Sequence, residues 1–296
     1  MTRFVGHRPA LLGISLALLL SACGTIKPTA PAFPGKPGPA AQEEQRPVIT
    51  PRMAAAAQTL TKMAALQDRL YRVAAPLLIN NAPLCKAQAR NLLVFTAKNR
   101  YSYPGEYNEA AHAALGMGER LQVTGVLAGS GAAKAGLQIG DRLVSAGGKP
   151  LPTGANASTL AGGVFGPLVR AQATLPFMIE RAEKQKQLSI PVTRACGFGV
   201  ELGNSDNVNS YADGSRVMVT RGMINFVEAD EELAYLMAKG MAHNMLGHAK
   251  SQRNSGTIGS IIDSLMSVRA DTSVVIGSGG IKAMPPELDG AADQLA

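Results

Sequence analysis

The chain has 296 residues, 46% of them hydrophobic, which is enough for more than one compact unit and too apolar for disorder throughout. Its formal charge of +8, from 29 basic and 21 acidic residues, is dispersed, with no Lys/Arg run and only 4% aromatic residues to stack on bases, which argues against nucleic acid as a partner. Apart from Ala10–Ala22, no stretch comes near the ~20 apolar residues of a membrane span, so the body of the chain is expected to be soluble.

In chain order, Arg3 and Arg8 precede the apolar run Ala10–Leu20, and small residues follow, the charged, apolar and cleavable order of a secretory signal. The run ends Leu20-Ser21-Ala22-Cys23-Gly24, which resembles the lipobox of bacterial lipoproteins. That resemblance implies cleavage after residue 22, a diacylglycerol on the Cys23 thiol and a place on the periplasmic side of the envelope, at the outer membrane because no aspartate follows Cys23. Two cysteines then remain, Cys85 and Cys196. In an oxidising compartment a disulfide between them is the natural expectation, with two separate buried thiols as the other possibility. Neither has a CxxC neighbour, which argues against redox catalysis or a cysteine-rich zinc knot.

Prolines 28, 31, 34, 37, 39, 47 and 51 mark residues 23–52 as an extended tether. Segment 53–118 reads as helical, because Leu60, Met63, Leu66, Leu70, Val73 and Leu77 recur every three or four residues, the stripe of an amphipathic helix docked on a core.

Residues 119–195 read differently. The alternation Leu121–Val126 predicts a strand, Gly129-Ser130-Gly131 a turn, Ala132–Leu137 a short helix, and Gly140–Val144 a second strand. A closing hairpin is predicted in which Leu175, Phe177 and Ile179 face Leu188, Ile190 and Val192 across a charged turn at Arg181–Lys186. The run "GSGAAKAGLQIGDRLVSAGGKPL" resembles bacterial PDZ domains. The resemblance implies binding of extended peptides or exposed protein carboxyl termini at a sheet edge, with backbone amides holding the carboxylate. Leu115-Gly116-Met117-Gly118 is a weak candidate for the carboxylate loop and equally a plain turn after the helix Ala110–Ala114, so the peptide-binding residues stay open.

Residues 196–296 carry Asn209–Gly214, then Arg216–Gly222, then a helix opening at Glu228–Glu232 and running to His248. This series resembles the HtpX-like zinc metallopeptidases over about 204–250, including the trailing Asn-x-x-Gly-His. In that family HExxH places two histidines on one helix face to grip zinc, and the glutamate activates the metal-bound water. Here the frame reads Lys239-Gly240-Met241-Ala242-His243, so Lys239 and Gly240 stand where the first histidine and the glutamate belong. His243 survives, and Asp289, in Asp289-Gly290-Ala291-Ala292-Asp293, is the nearest match to the third ligand; these two are the residual metal candidates. The chain stops three residues after Asp293, short of that helix's usual continuation, so the domain reads as possibly truncated.

Lysine must lose a proton to ligate zinc, at a cost of about 4–5 kcal/mol at neutral pH. Gly240 offers no general base, and nothing local in the sequence offsets a glycine in mid-helix. His248, five residues on, falls roughly 140° around the same helix from His243. The Lys239 ammonium is therefore expected in the place of the metal, near His243 and Asp289. The fold class is α+β: a β-rich PDZ module beside a mainly helical metallopeptidase-like domain with a short edge sheet. The leading functional reading is a lipid-anchored envelope protein, non-catalytic and without cofactor, acting in peptide binding or envelope protein quality control. The alternative is an active zinc metalloendopeptidase with a variant metal site, and a third is a structural remnant without ligand.

Overall fold

The computed structural model describes residues 49–251, 255–266 and 284–296; the expectations for the signal, Cys23 and most of the tether fall outside them. Helix α1 (Pro51–Asn80) opens where the Thr50 hydroxyl accepts the Met53 amide at 3.2 Å and Pro51 supplies a preset φ. It takes in the last residues of the stretch read as tether. The predicted stripe faces inward: Leu60, Leu70 and Val73 are buried, with Met63, Leu66 and Leu77 partly covered against the core. Ala56 and Leu60 meet Ala110, Ala111 and Met117 at and just beyond α2 (Glu106–Leu115), while Leu70, Ala74 and Leu78 close the core of the carboxyl-terminal lobe.

The segment read as helical also holds two strands, β1 (Ala89–Leu92) and β2 (Phe95–Lys98). The helix ends at Asn80, and the later run Val94-Phe95-Thr96 is β-branched and aromatic, suited to a half-buried sheet surface. β2 pairs antiparallel with β3 (Gln122–Val126), and the sheet continues through β4 (Arg142–Ala146), β6 (Thr174–Arg181) and β7 (Lys184–Pro191), with β5 (Lys149–Pro150) on β4. The short helix α3 (Gly131–Lys134) is capped by the Ser130 hydroxyl, and α4 (Ala157–Ala171) covers a core built on Leu143, Leu175, Phe177, Ile179 and Ile190. Asp141, 1% exposed, receives Arg181 Nε and Nη2 at 2.6 Å each, which ties the hairpin end to the turn before β4.

The hairpin departs from expectation at its tip. Leu175 faces Ile190 and Phe177 faces Leu188, but Ile179 faces Lys186, and Val192 lies beyond β7. The turn is only Ala182 and Glu183, at φ 48° and 62°, so the charged residues on either side prolong the ladder. A two-residue loop with both φ positive matches the twist of the flanking strands, which explains why the pairing runs on.

β8 (Thr193–Cys196) leaves this sheet to pair antiparallel with β1. A disulfide joins Cys196 to Cys85, both almost fully buried, with Cα atoms 5.6 Å apart and a sequence separation of 111. β9 (Gly199–Gly203), β10 (Ser210–Ala212) and β11 (Arg216–Thr220) form a sheet in the order β10-β11-β9, parallel between β11 and β9 and antiparallel between β10 and β11. Buried Thr220 then caps α5 (Arg221–Phe226) by accepting the Met223 amide. From α1, Arg69 donates to the carbonyls of Ile224, Val227 and Glu228 and to Asp230, which pins α1 to the junction of α5 with α6 (Asp230–Met245). After α7 (His248–Ser251), helix α8 (Ser255–Leu265) lays Ile258, Ile261, Ile262 and Leu265 on Met218, and α9 (Pro286–Leu295) packs along α6. The architecture is α+β.

Candidate functional site

The site is built from α6, the β10–β11 sheet and α9. Three acidic residues in the first turn of α6, Asp230, Glu231 and Glu232, complement the helix dipole, and Glu232 turns back to accept the Glu228 and Ala229 amides. The far end of α6 is tied to the turn before β11. Asn244, 1% exposed, accepts the Gly214 amide at 2.6 Å and donates to Arg216 O at 3.0 Å. Within that turn Asp213 accepts the amides of Ser215 and Arg216 and the Arg216 guanidinium. Burial pushes the Asp213 carboxyl up, but these hydrogen bonds outweigh it and hold it below the usual aspartate range.

Gly240 is buried where α6 crosses β11. A Cβ there would lie 2.6 Å from Val217 Cγ1 and 3.2 Å from Cγ2. No neighbour in sequence offsets the glycine; close contact with a fully buried valine of β11 is its packing reason. The position of the motif glutamate is therefore filled by Val217 as well as stripped of its side chain.

Tyr235, Lys239 and His243 follow one another at intervals of four along α6, and Asp289 and Asp293 stand one turn apart on α9. Lys239 Nζ lies 2.8 Å from Asp289 Oδ2 and 2.8 Å from Asp293 Oδ1. The Tyr235 hydroxyl lies 2.6 Å from Asp293 Oδ1, and His243 Nε2 is 3.4 Å from Asp289 Oδ1. Burial pulls the Lys239 ammonium down, but the hydrogen bonds to Asp289 and Asp293 prevail and raise it above its ordinary value, so the amine is charged. Hydrogen bonds from Lys239 and Tyr235 in turn hold the Asp293 carboxyl below its ordinary value. Asp289 thus meets Lys239 and His243 as expected; Asp293 and Tyr235 were missed, although their four-residue spacing from Asp289 and Lys239 was visible in the sequence.

His248 corrects a second expectation. α6 stops at Met245, and Gly247 turns the chain at φ 72°, so the rotation of a continuous helix does not apply. His248 Nδ1 comes 2.9 Å from His243 Nδ1, with both rings buried, so one imidazole donates and the other accepts. Burial first, then the neighbouring His248, lower the pKa of His243.

These donors do not fit zinc. A charged lysine has three donors and no lone pair, and here it already holds both carboxylates of α9. Among the described residues, no three His, Cys, Asp or Glu side chains converge as ligands.

The Leu115–Gly118 segment is the end of a helix: Gly116, at φ 62°, caps α2 with its amide on Ala111 O, and Met117 is buried. The sheet edge lies elsewhere. β2 is the terminal strand of the order β2-β3-β4-β6-β7, and the chain enters it through a left-handed corner at Val94, φ 57°. Phe95 packs edge-on against Phe165 of α4 and against Phe177, with ring centroids 6.2 and 5.9 Å away. A four-residue strand without turn glycines, well ahead of the recognisable strand Leu121–Val126, gave no sequence signal for this role.

Residues 122–161 match the PDZ domain and residues 171–280 match peptidase family M48. The chain therefore contains a PDZ domain and a domain of peptidase family M48. The M48 match begins ahead of β6 and β7, which by pairing belong to the sheet of the PDZ domain. No curated protein matches the sequence. Among solved structures, the HtrA3 PDZ domain bound to a phage-derived ligand is similar at 15% identity, over 36% of this chain and 88% of that one, with a TM-score of 0.26. The HtrA-type protease AlgW with a decapeptide is similar at 20% identity, over 36% of this chain and 30% of that one, with a TM-score of 0.27.

Proposed function

We propose that the protein is a non-catalytic, lipid-anchored binding protein of the bacterial envelope that captures extended peptides or exposed carboxyl termini through its PDZ domain, in the service of envelope protein quality control. The observation that carries the reading is the contrast between its two domains. The PDZ sheet ends in β2 with the apolar helix α4 alongside, while the M48 domain holds Lys239 and Gly240 where metal ligand and general base belong. Peptide added as a strand to β2 would gain backbone hydrogen bonds and set alternate side chains against α4. The left-handed corner at Val94, beside that edge, is the candidate seat for a terminal carboxylate, since consecutive amides around such a corner form an anion-binding concavity.

The test needs the whole folded chain, because a fragment starting at residue 119 would lack β2. Titration with extended peptides, followed by backbone amide shifts, should perturb residues 93–98 and 157–171, more strongly for peptides with a free carboxyl terminus than for their amides. Shifts absent from both segments with every peptide would refute the reading. Zinc-dependent cleavage of unfolded protein would instead favour the enzyme.

A further inference from the structure

We propose that Lys239 is a built-in cation that cross-links α6 to α9, so that the seating of the carboxyl-terminal helix depends on an amine and is independent of metal. Helix α9 has ten residues, of which only Ala292 is fully buried, with Leu288 and Ala291 partly covered. Helix propensity alone does not hold so short a helix in water, and one buried alanine contributes little apolar area. To this small apolar area are added polar contacts, which converge on one atom. Lys239 Nζ stands 2.8 Å from a carboxylate oxygen of each of Asp289 and Asp293. Tyr235, one turn earlier on α6, holds Asp293 from the other side at 2.6 Å, and His243, one turn later, holds Asp289 at 3.4 Å. The ladder on α6 and the pair on α9 share one repeat, so a single registration of the two helices satisfies every contact.

The Lys239 side chain is 23% exposed and the two aspartates about twice that, so the cluster is partly shielded from water. Carboxylates one turn apart on the same helix repel each other, and removing the amine would leave that repulsion without its bridging cation. A divalent ion arriving at Asp289 would meet the ammonium already bound there. Lysine at this position thus does more than remove a ligand: it takes over the bridge between helices.

Native-state hydrogen exchange on the full chain tests this. Amides of 286–295 should exchange at least tenfold faster in Lys239→Met than in wild type, with 174–191 in the PDZ sheet unchanged, and the wild-type rates should not respond to chelator. Lys239→Arg, which keeps a long cation, should retain most of the protection. If Lys239→Met also loosens 174–191, the arginine variant decides: protection kept supports the bridge, and protection lost as fully as in methionine overturns it. Unchanged exchange of 286–295 in Lys239→Met would overturn it too. So would wild-type protein that carries one zinc per chain, or whose 286–295 amides speed up on chelation.

Discussion

At Gly240 two opposing effects can be compared. Alanine would gain about 1 kcal/mol of helix propensity over glycine. Its Cβ, however, would enter the space of Val217, a β-branched side chain with no exposure and little rotamer freedom. Overpacking of this kind costs about 1–3 kcal/mol, so Gly240→Ala should destabilise the chain by up to about 2 kcal/mol. Val217→Ala in the same chain should relieve the clash, giving a favourable coupling of at least ~1 kcal/mol in the double-mutant cycle. Urea unfolding of the four chains measures it, and additive effects would mean that Val217 moves aside freely. Rebuilding the peptidase motif by Lys239→His and Gly240→Glu therefore calls for a third change at Val217. Single residues were legible to different degrees. The four-residue spacing of Lys239 and His243 was plain, and so was the loss of the motif glutamate. The reason for Gly240 was hidden because it lies across a sheet, in Val217. The His243–His248 pair was hidden for a local reason: Gly247, a common residue just past a helix end, was read through as helix.

Among elements, the most consequential junction is where β1 meets β8, because it closes a loop of 111 residues around the PDZ sheet. In the chain-entropy view a cross-link of that span contributes about 4–5 kcal/mol by restricting the unfolded chain, and measured losses for native disulfides run to about 2–5. Cys85→Ser with Cys196→Ser should therefore lower the unfolding free energy in guanidinium by about 2–5 kcal/mol, and an unchanged midpoint would contradict this. The loss should reach α6, because Met245 Sδ lies 3.5 Å from Cys85 Sγ, two residues after His243. Parity and the export signal made the pairing legible. The strands it joins were not, since β1 and β2 are four residues each and lack the long alternation that marks β6 and β7. In that hairpin, alternation set the inward faces. The tight turn stayed hidden because Ala182 and Glu183 adopt positive φ without the Asn or Gly that usually announces it.

For the whole molecule, α1 decides how the parts relate, since its amino-terminal half packs on α2 and its carboxyl-terminal half completes the core of the M48 domain. The ring of Tyr71 also lies over Gly125 of β3, where a Cβ would come 2.6 Å from Tyr71 Cε2, so the helix touches the PDZ sheet as well. Helix α1 thus completes the core of the M48 domain and touches the PDZ sheet, whose own core is built without it. It also starts at residue 51, directly after the segment that would lead to the anchor. A diacylglycerol on Cys23 would insert two acyl chains at about 0.8 kcal/mol per buried CH₂, and two chains suffice for stable attachment where one gives only reversible binding. The chain expressed with its leader should accordingly partition into the detergent phase on phase separation, and Cys23→Ala should move it to the aqueous phase without altering peptide affinity in solution. Wild-type protein recovered in the aqueous phase would remove the anchor from the proposal and leave the peptide-binding reading to stand on the titration alone.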